Sequence, residues 1–204
     1  MQIVGFLISF GLLIIAMVAH EYAHGWMANR LGDPTAKYSG RLTLNPLAHI
    51  DIFGTIILPL VLFISTNGAF VFGAAKPVPV NFAALRNPKR DMIWIGASGP
   101  LANLIFAFIL ALVLKILPAP ALLVLLLRNL LMINVVLGVF NLIPLPPLDG
   151  SRILMGLLPK DLAYSYSRIE PYGFIVIILL LSLGFVDFLI WPPINFIINL
   201  LFRL

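Results

Sequence analysis

IVGFLISFGLLIIAMVAHEYAHGWM, residues 3–27, is an apolar run long enough to cross a bilayer, and it carries His20-Glu21-Tyr22-Ala23-His24 inside it. A spanning helix needs about 20 apolar residues, and backbone in lipid must satisfy its own hydrogen bonds, which a helix does. A glutamate and two imidazoles within such a span are costly, so they require partners or chemistry. On a helix this spacing stacks the two imidazoles one turn apart on one face, where they can share a metal ion. Glu21 projects beside them as a candidate general base.

The rest of the chain agrees with a membrane protein. Of its 204 residues, 61% are hydrophobic and 10% charged, and mean hydropathy is +1.08; a soluble domain is nearer half apolar and about a quarter charged. With no cysteine there is no disulfide framework, and a metal has to be held by nitrogen and oxygen. The net charge of +5 falls mainly in short segments between apolar runs, where it sets topology. No aromatic-basic platform accompanies it, so nucleic acid is not an expected partner. The first run lacks a basic n-region and is too long for a signal peptide, so it reads as a retained span.

Chain-wide, the pattern predicts one all-α polytopic membrane unit over residues 1–204. About four full spanning helices are expected, at 3–27, 92–117, 121–143 and 172–190, with a short amphipathic helix after Trp191-Pro192-Pro193. Residues 29–51 are polar and broken by Gly32, Pro34, Gly40 and Pro46. Arg30, Lys37 and Arg41 follow the first span, Arg86, Lys89 and Arg90 precede the second, and Arg152, Lys160 and Arg168 follow the third. All three clusters stay cytoplasmic only if residues 52–75 enter the membrane and return. Geometry permits this: residues 55–64 as helix descend about 15 Å, and Phe70 to Ala75 as extended chain climb about 20 Å. Such a re-entrant segment is tolerated where it lines a wet cavity.

Two histidines do not complete a catalytic zinc site, which uses three protein ligands and leaves one position for water. His49, Asp33, Asp51, Asp149, Glu170 and Asp187 are the candidates for the third. Asp149 is favoured by location, in the Pro-rich break Pro144-Leu145-Pro146-Pro147-Leu148-Asp149-Gly150 at the cytoplasmic end of the third span. His49 remains its competitor.

Taken together, these motifs resemble those of the site-2 protease family of intramembrane zinc metalloproteases. His20 to Gly25 matches its His-Glu-x-x-His-Gly signature, and Asn141 to Gly150 its Asn-and-Pro run into Leu-Asp-Gly. Gly99-Pro100-Leu101-Ala102-Asn103 matches a Gly-Pro-x-x-Asn helix motif common in the family. Arg41-Leu42-Thr43-Leu44-Asn45-Pro46 and Lys76-Pro77-Val78-Pro79-Val80 look like family loops. The resemblance implies one Zn2+ per chain held by His20, His24 and Asp149, with Glu21 as the base and Asn141 near the substrate or oxyanion. It implies hydrolysis of peptide bonds in or near transmembrane segments, with another membrane protein as substrate and the bilayer as surroundings; the basic clusters put the active site towards the cytoplasmic side of the cell membrane. A minimal form without PDZ or CBS domains is expected, and Asp51-Ile52-Phe53-Gly54 departs from the family's Asp-Pro.

Two other classes use the same ligands: a zinc transporter and a catalytically silent zinc-binding scaffold. The transporter needs polar residues along a complete crossing, whereas the outer halves of these spans are almost uniformly Leu, Ile, Val and Phe. The intact Glu21 speaks against the scaffold. Pro77 and Pro79 hold their segment extended, so a substrate strand is expected to pair beside it.

Overall fold

The computed structural model describes residues 2–65, 73 and 75–203. In chain order its helices are α1 (Gln2–Leu31), α2 (Thr35–Tyr38), α3 (Leu58–Ser65), α4 (Pro88–Ile116), α5 (Ala121–Asn141), α6 (Asp149–Leu157), α7 (Lys160–Ser167), α8 (Gly173–Ser182) and α9 (Phe185–Arg203). No strand occurs among the described residues. Three helices, α1, α4 and α5, are long and apolar enough to cross a membrane. Their outward side chains, such as Ile3, Leu7, Ile105 and Leu125, are exposed hydrophobics, as expected when the solvent is lipid.

Helix α1 runs past residue 27 to Leu31 and ends in a Schellman motif. Gly32 takes φ 109°, Asp33 N donates to Ala28 O at 2.9 Å, and Gly32 N to Asn29 O at 3.4 Å. The buried Asp33 carboxylate accepts from Thr35 N, Thr35 Oγ1 and Asn81 N, which ties the segment after residue 75 to the end of α1. At the start of α4, Pro88 occupies the first turn, where its missing N–H costs nothing, and Asp91 reaches back to Asn87 N at 2.8 Å.

Helix α4 is the hub, packed against α1, α5 and α6. Ala16, Ala107, Leu110, Leu131 and Val135 form the core between α1, α4 and α5, and Ile190 and Ile194 of α9 join it.

Residues 52–65 follow Asp51, whose Oδ1 caps Gly54 N at 2.7 Å, as a π-helical stretch (Ile52–Ile57) and α3. Lys76 N donates to His49 O at 2.9 Å, so the chain comes back beside the point where it left. Of the extended return expected over 70–75, residues 70–72 and 74 lie outside the described residues.

The C-terminal region differs from the expected spanning helix at 172–190. That stretch breaks at Leu183–Gly184, where Gly184 takes φ 69°, into α8 and α9. The 10 residues of α8 rise about 15 Å, half of a hydrocarbon core of about 30 Å. Nor do Pro192 and Pro193 end a helix; they lie inside α9. Their φ is already helical, and in apolar surroundings unwinding frees more backbone groups than the two bonds they delete. Past the prolines, Asn195, Asn199 and Arg203 form an exposed polar stripe at four-residue spacing, as expected of an amphipathic end. In α9, Ile190, Ile194 and Leu201 are buried, and the exposed face adds Phe188, Trp191, Phe196 and Leu200 beside that stripe.

Candidate metal centre

His20 and His24 are successive-turn neighbours on α1, with ring centroids 4.6 Å apart. Asp149 opens α6, directly after the Pro-rich break that ends the α5 segment. These three side chains converge. His20 Nε2 lies 3.0 Å from His24 Nε2, and Asp149 Oδ2 lies 2.9 Å from the first and 3.2 Å from the second. Both imidazoles are buried, whereas the Asp149 side chain is 19% exposed.

The far side of each ring decides what this triangle is. His24 Nδ1 donates to Ile95 O at 2.7 Å, an acceptor only. His20 Nδ1 lies 2.6 Å from Asn103 Oδ1. The Asn103 amide is oriented by its own partners: Nδ2 donates to Ala16 O at 3.1 Å and to Asn134 Oδ1 at 2.8 Å. Asn134 is oriented in turn, donating through Nδ2 to Leu130 O at 2.8 Å. Both Nδ1 atoms therefore carry the proton in neutral imidazole, and both Nε2 lone pairs face Asp149 Oδ2. That oxygen is buried without a hydrogen-bond donor. Three electron-rich atoms about 3 Å apart with no proton between them repel one another unless a cation lies among them. Tetrahedral ligands about 2.0–2.2 Å from zinc stand about 3.3–3.6 Å apart, and the observed triangle is a slightly contracted version. The donor set fits zinc.

Burial opposes ionisation of Asp149, and the imidazoles of His24 and His20 reverse this only as imidazoliums, lowering its pKa in the metal-free centre. Gly99 lets α4 pass close to the rings, because a Cβ there would stand 2.6 Å from His20 Nε2.

A cavity of about 350 Å3 opens beside the triangle, lined among others by Glu21, Pro77, Val78 and Asn141. Glu21 Oε2 accepts from Val78 N at 2.8 Å. The segment 76–80 is further held by Arg41 Nη2, which donates to Lys76 O at 2.6 Å and to Pro77 O at 3.3 Å. Asn141 Nδ2 donates to Leu137 O at 2.9 Å, so an oxyanion contact has to use its second amide proton.

The structure thus brings together His20, His24 and Asp149, with Glu21 and Asn141 on the same cavity, and separates the other candidates. His49 is buried elsewhere, its Nε2 donating to Thr43 O at 2.8 Å. Asp33 and Asp51 cap turns, and Glu170 pairs with Arg152. The side chain of Asp187 lies outside the described atoms. Two residues the sequence reading left without a role, Asn103 and Asn134, are fully buried and orient His20. An asparagine inside the otherwise apolar Leu130-Leu131-Met132-Ile133-Asn134-Val135-Val136 was the available signal.

Comparison with known proteins gives the family. The model of peptidase family M50 matches residues 6–125 and 119–183. The chain is 37% identical to YwhC of Bacillus subtilis, over 90% of this chain and 84% of that protein. It is 29% identical to Rip2 of Mycolicibacterium smegmatis, over 82% of this chain and 64% of the relative. Both relatives are provisionally named zinc metalloproteases. Zinc metalloprotease MJ0392 of Methanocaldococcus jannaschii is 27% identical over 77% of this chain, which spans only 36% of it. No solved structure matches. Zinc is accordingly the cofactor, and this chain belongs to peptidase family M50, as a multi-pass membrane zinc metalloprotease.

Proposed function

We propose that this protease cleaves peptide bonds within or near the transmembrane segments of other membrane proteins, as in regulated intramembrane proteolysis. The observation that carries the reading is the depth of the centre. Gly99, against His20, lies 11 positions past Pro88, about 16 Å along α4 at about 1.5 Å per residue, and apolar exposed side chains surround that level.

In this reading His20, His24 and Asp149 hold the zinc, which supplies Lewis acidity that brings the pKa of a water towards about 7 and polarises the scissile carbonyl. Glu21 takes the water proton and passes it to the leaving amine. Asn141 donates its remaining amide proton to the developing oxyanion. A substrate helix must first unwind, since its own hydrogen bonds protect its peptide groups. Residues 76–80 offer a template for the unwound chain. Pro77 and Pro79 have no N–H, and the carbonyls of Val78, Pro79 and Val80 have no hydrogen-bond partner among the described residues, so an extended segment can pair there. Basic residues at the ends of α1, α4 and α6 nearest the centre support a cytoplasmic site in the cell membrane.

The test is purified protein in detergent with zinc and a panel of single-span substrates. Cleavage that disappears on chelation, returns with zinc and is absent from Glu21→Gln supports the proposal. Metal flux across vesicles without cleavage assigns a transporter instead, and bound zinc with neither activity assigns a scaffold.

A further inference from the structure

Helices α4, α5 and α9 close on a second cavity of about 300 Å3, unconnected with the metal centre. Lys115, on its wall, lies 16 positions past Gly99, about 24 Å along α4 at about 1.5 Å per residue. Three cations line it: Lys115 in the last turn of α4, Arg128 within α5, and Arg203 in the last turn of α9. The remaining wall is apolar, with Ala111, Leu201 and Phe202. All three cations are exposed, and among the described residues none makes an ion pair or a hydrogen bond. The Arg128 guanidinium instead lies 5.7 Å from the Phe202 ring centroid.

Basic side chains near helix ends have an ordinary explanation, which covers only part of this cluster. Lys115 and Arg203 suit the negative C-terminal ends of their helices. Arg128 is near the positive end of α5 and gains nothing there. Snorkelling takes each side chain to water by its own path, yet these three come from three helices into one recess. The cavity sits at the lower end of the about 300–1,000 Å3 typical of small-molecule sites.

We propose that this cavity binds the phosphodiester headgroup of an anionic phospholipid. Two guanidinium forks and an ammonium supply the opposite charge and the hydrogen-bond donors that a phosphodiester oxygen pair accepts from, and basic recesses between membrane helices recognise anionic headgroups on this principle. The lipid tails lie along the exposed apolar surface beside the recess, formed by Ile116, Leu200 and Phe202. A free phosphate makes the same charge contacts but gains nothing from that surface, so the lipid is the favoured occupant. Because α9 packs on the α4–α5 hairpin through Ile194 and Leu201, a headgroup shared by all three helices pins the C-terminal helix to the hub.

The experiment uses the full chain loaded with zinc in an uncharged detergent. Short-chain phosphatidylglycerol, phosphatidylcholine or inorganic phosphate is titrated, with Tm and lipid-bound species in native mass spectrometry as readouts. Phosphatidylglycerol is expected to raise Tm above the phosphatidylcholine value, and phosphate to leave it unchanged. Lys115→Gln/Arg128→Gln/Arg203→Gln weakens phosphatidylglycerol binding about a hundredfold, and Arg128→Gln alone about fivefold. A charge-matched control at the other end, Lys37→Gln/Lys160→Gln/Arg168→Gln, retains wild-type binding. Should the triple variant not fold, the single variant carries the test. Equal response to the two lipids, undiminished binding in Arg128→Gln, equal loss in the control, or equal stabilisation by inorganic phosphate each overturns the proposal.

Discussion

Asn103→Leu removes the acceptor that fixes the His20 tautomer while keeping the same branched heavy-atom frame. Asn103 makes three contacts: Oδ1 to His20 Nδ1 at 2.6 Å, and Nδ2 to Ala16 O at 3.1 Å and Asn134 Oδ1 at 2.8 Å. Interhelical hydrogen bonds in membrane bundles contribute about 0.6–2 kcal/mol each, so their joint loss costs about 2–6 kcal/mol before leucine's apolar gain. The metal suffers separately. Without its Nδ1 partner, His20 takes either tautomer and either ring orientation, and loss of such a partner weakens metal binding about 10–100-fold. The assay is zinc affinity by chelator competition at fixed pH, with helicity and Tm of the metal-free protein alongside. Asn103→Asp is the discriminating companion. It keeps the acceptor for His20 Nδ1 while losing the donations to Ala16 O and Asn134 Oδ1, so zinc affinity recovers without the stability, and the leucine variant stays weak in both. A folded Asn103→Leu protein whose zinc affinity stays within about twofold of wild type, well short of the loss expected of such partners, would refute the relay.

Gly99→Ala is expected to purify folded but with little zinc, because its Cβ would lie 2.6 Å from His20 Nε2 and 2.7 Å from Cε1. Helix propensity favours Ala by about 1 kcal/mol, so elemental analysis beside circular dichroism separates displaced ligands from lost fold. Arg41→Gln releases the carbonyls of Lys76 and Pro77. Charge-assisted hydrogen bonds contribute about 1.5–3 kcal/mol, so cleavage of a single-span substrate should fall at least about tenfold with zinc content unchanged, measured on the same preparation.

What could be read from the chain alone followed how local each signal was. The imidazole pair needs only a helix and a four-residue spacing, and both are present in residues 3–27. Asp149 was reachable because the Pro-rich break puts it at the right end of the third span. Asn134 was not singled out, since the residue it orients, Asn103, lies on another helix and an amide within a span fits any interhelical bond equally well. The break at Gly184 stayed hidden because a lone glycine in an apolar run is compatible with an unbroken helix. Pro192-Pro193 misled for a different reason. The rule that proline ends a helix presumes that freed carbonyls have somewhere better to go, and an apolar environment offers α9 nothing of the kind.

The triangle of donor atoms has a consequence for biogenesis. Its two nitrogens belong to the first helix made and its oxygen to the turn after the third long one, so a ribosome-bound chain carries two of the three donors until that turn has emerged. With the proposed ligands, hydrolytic competence is thus withheld from products that stop short of Asp149 and arrives only once the later crossings have been inserted beside the first.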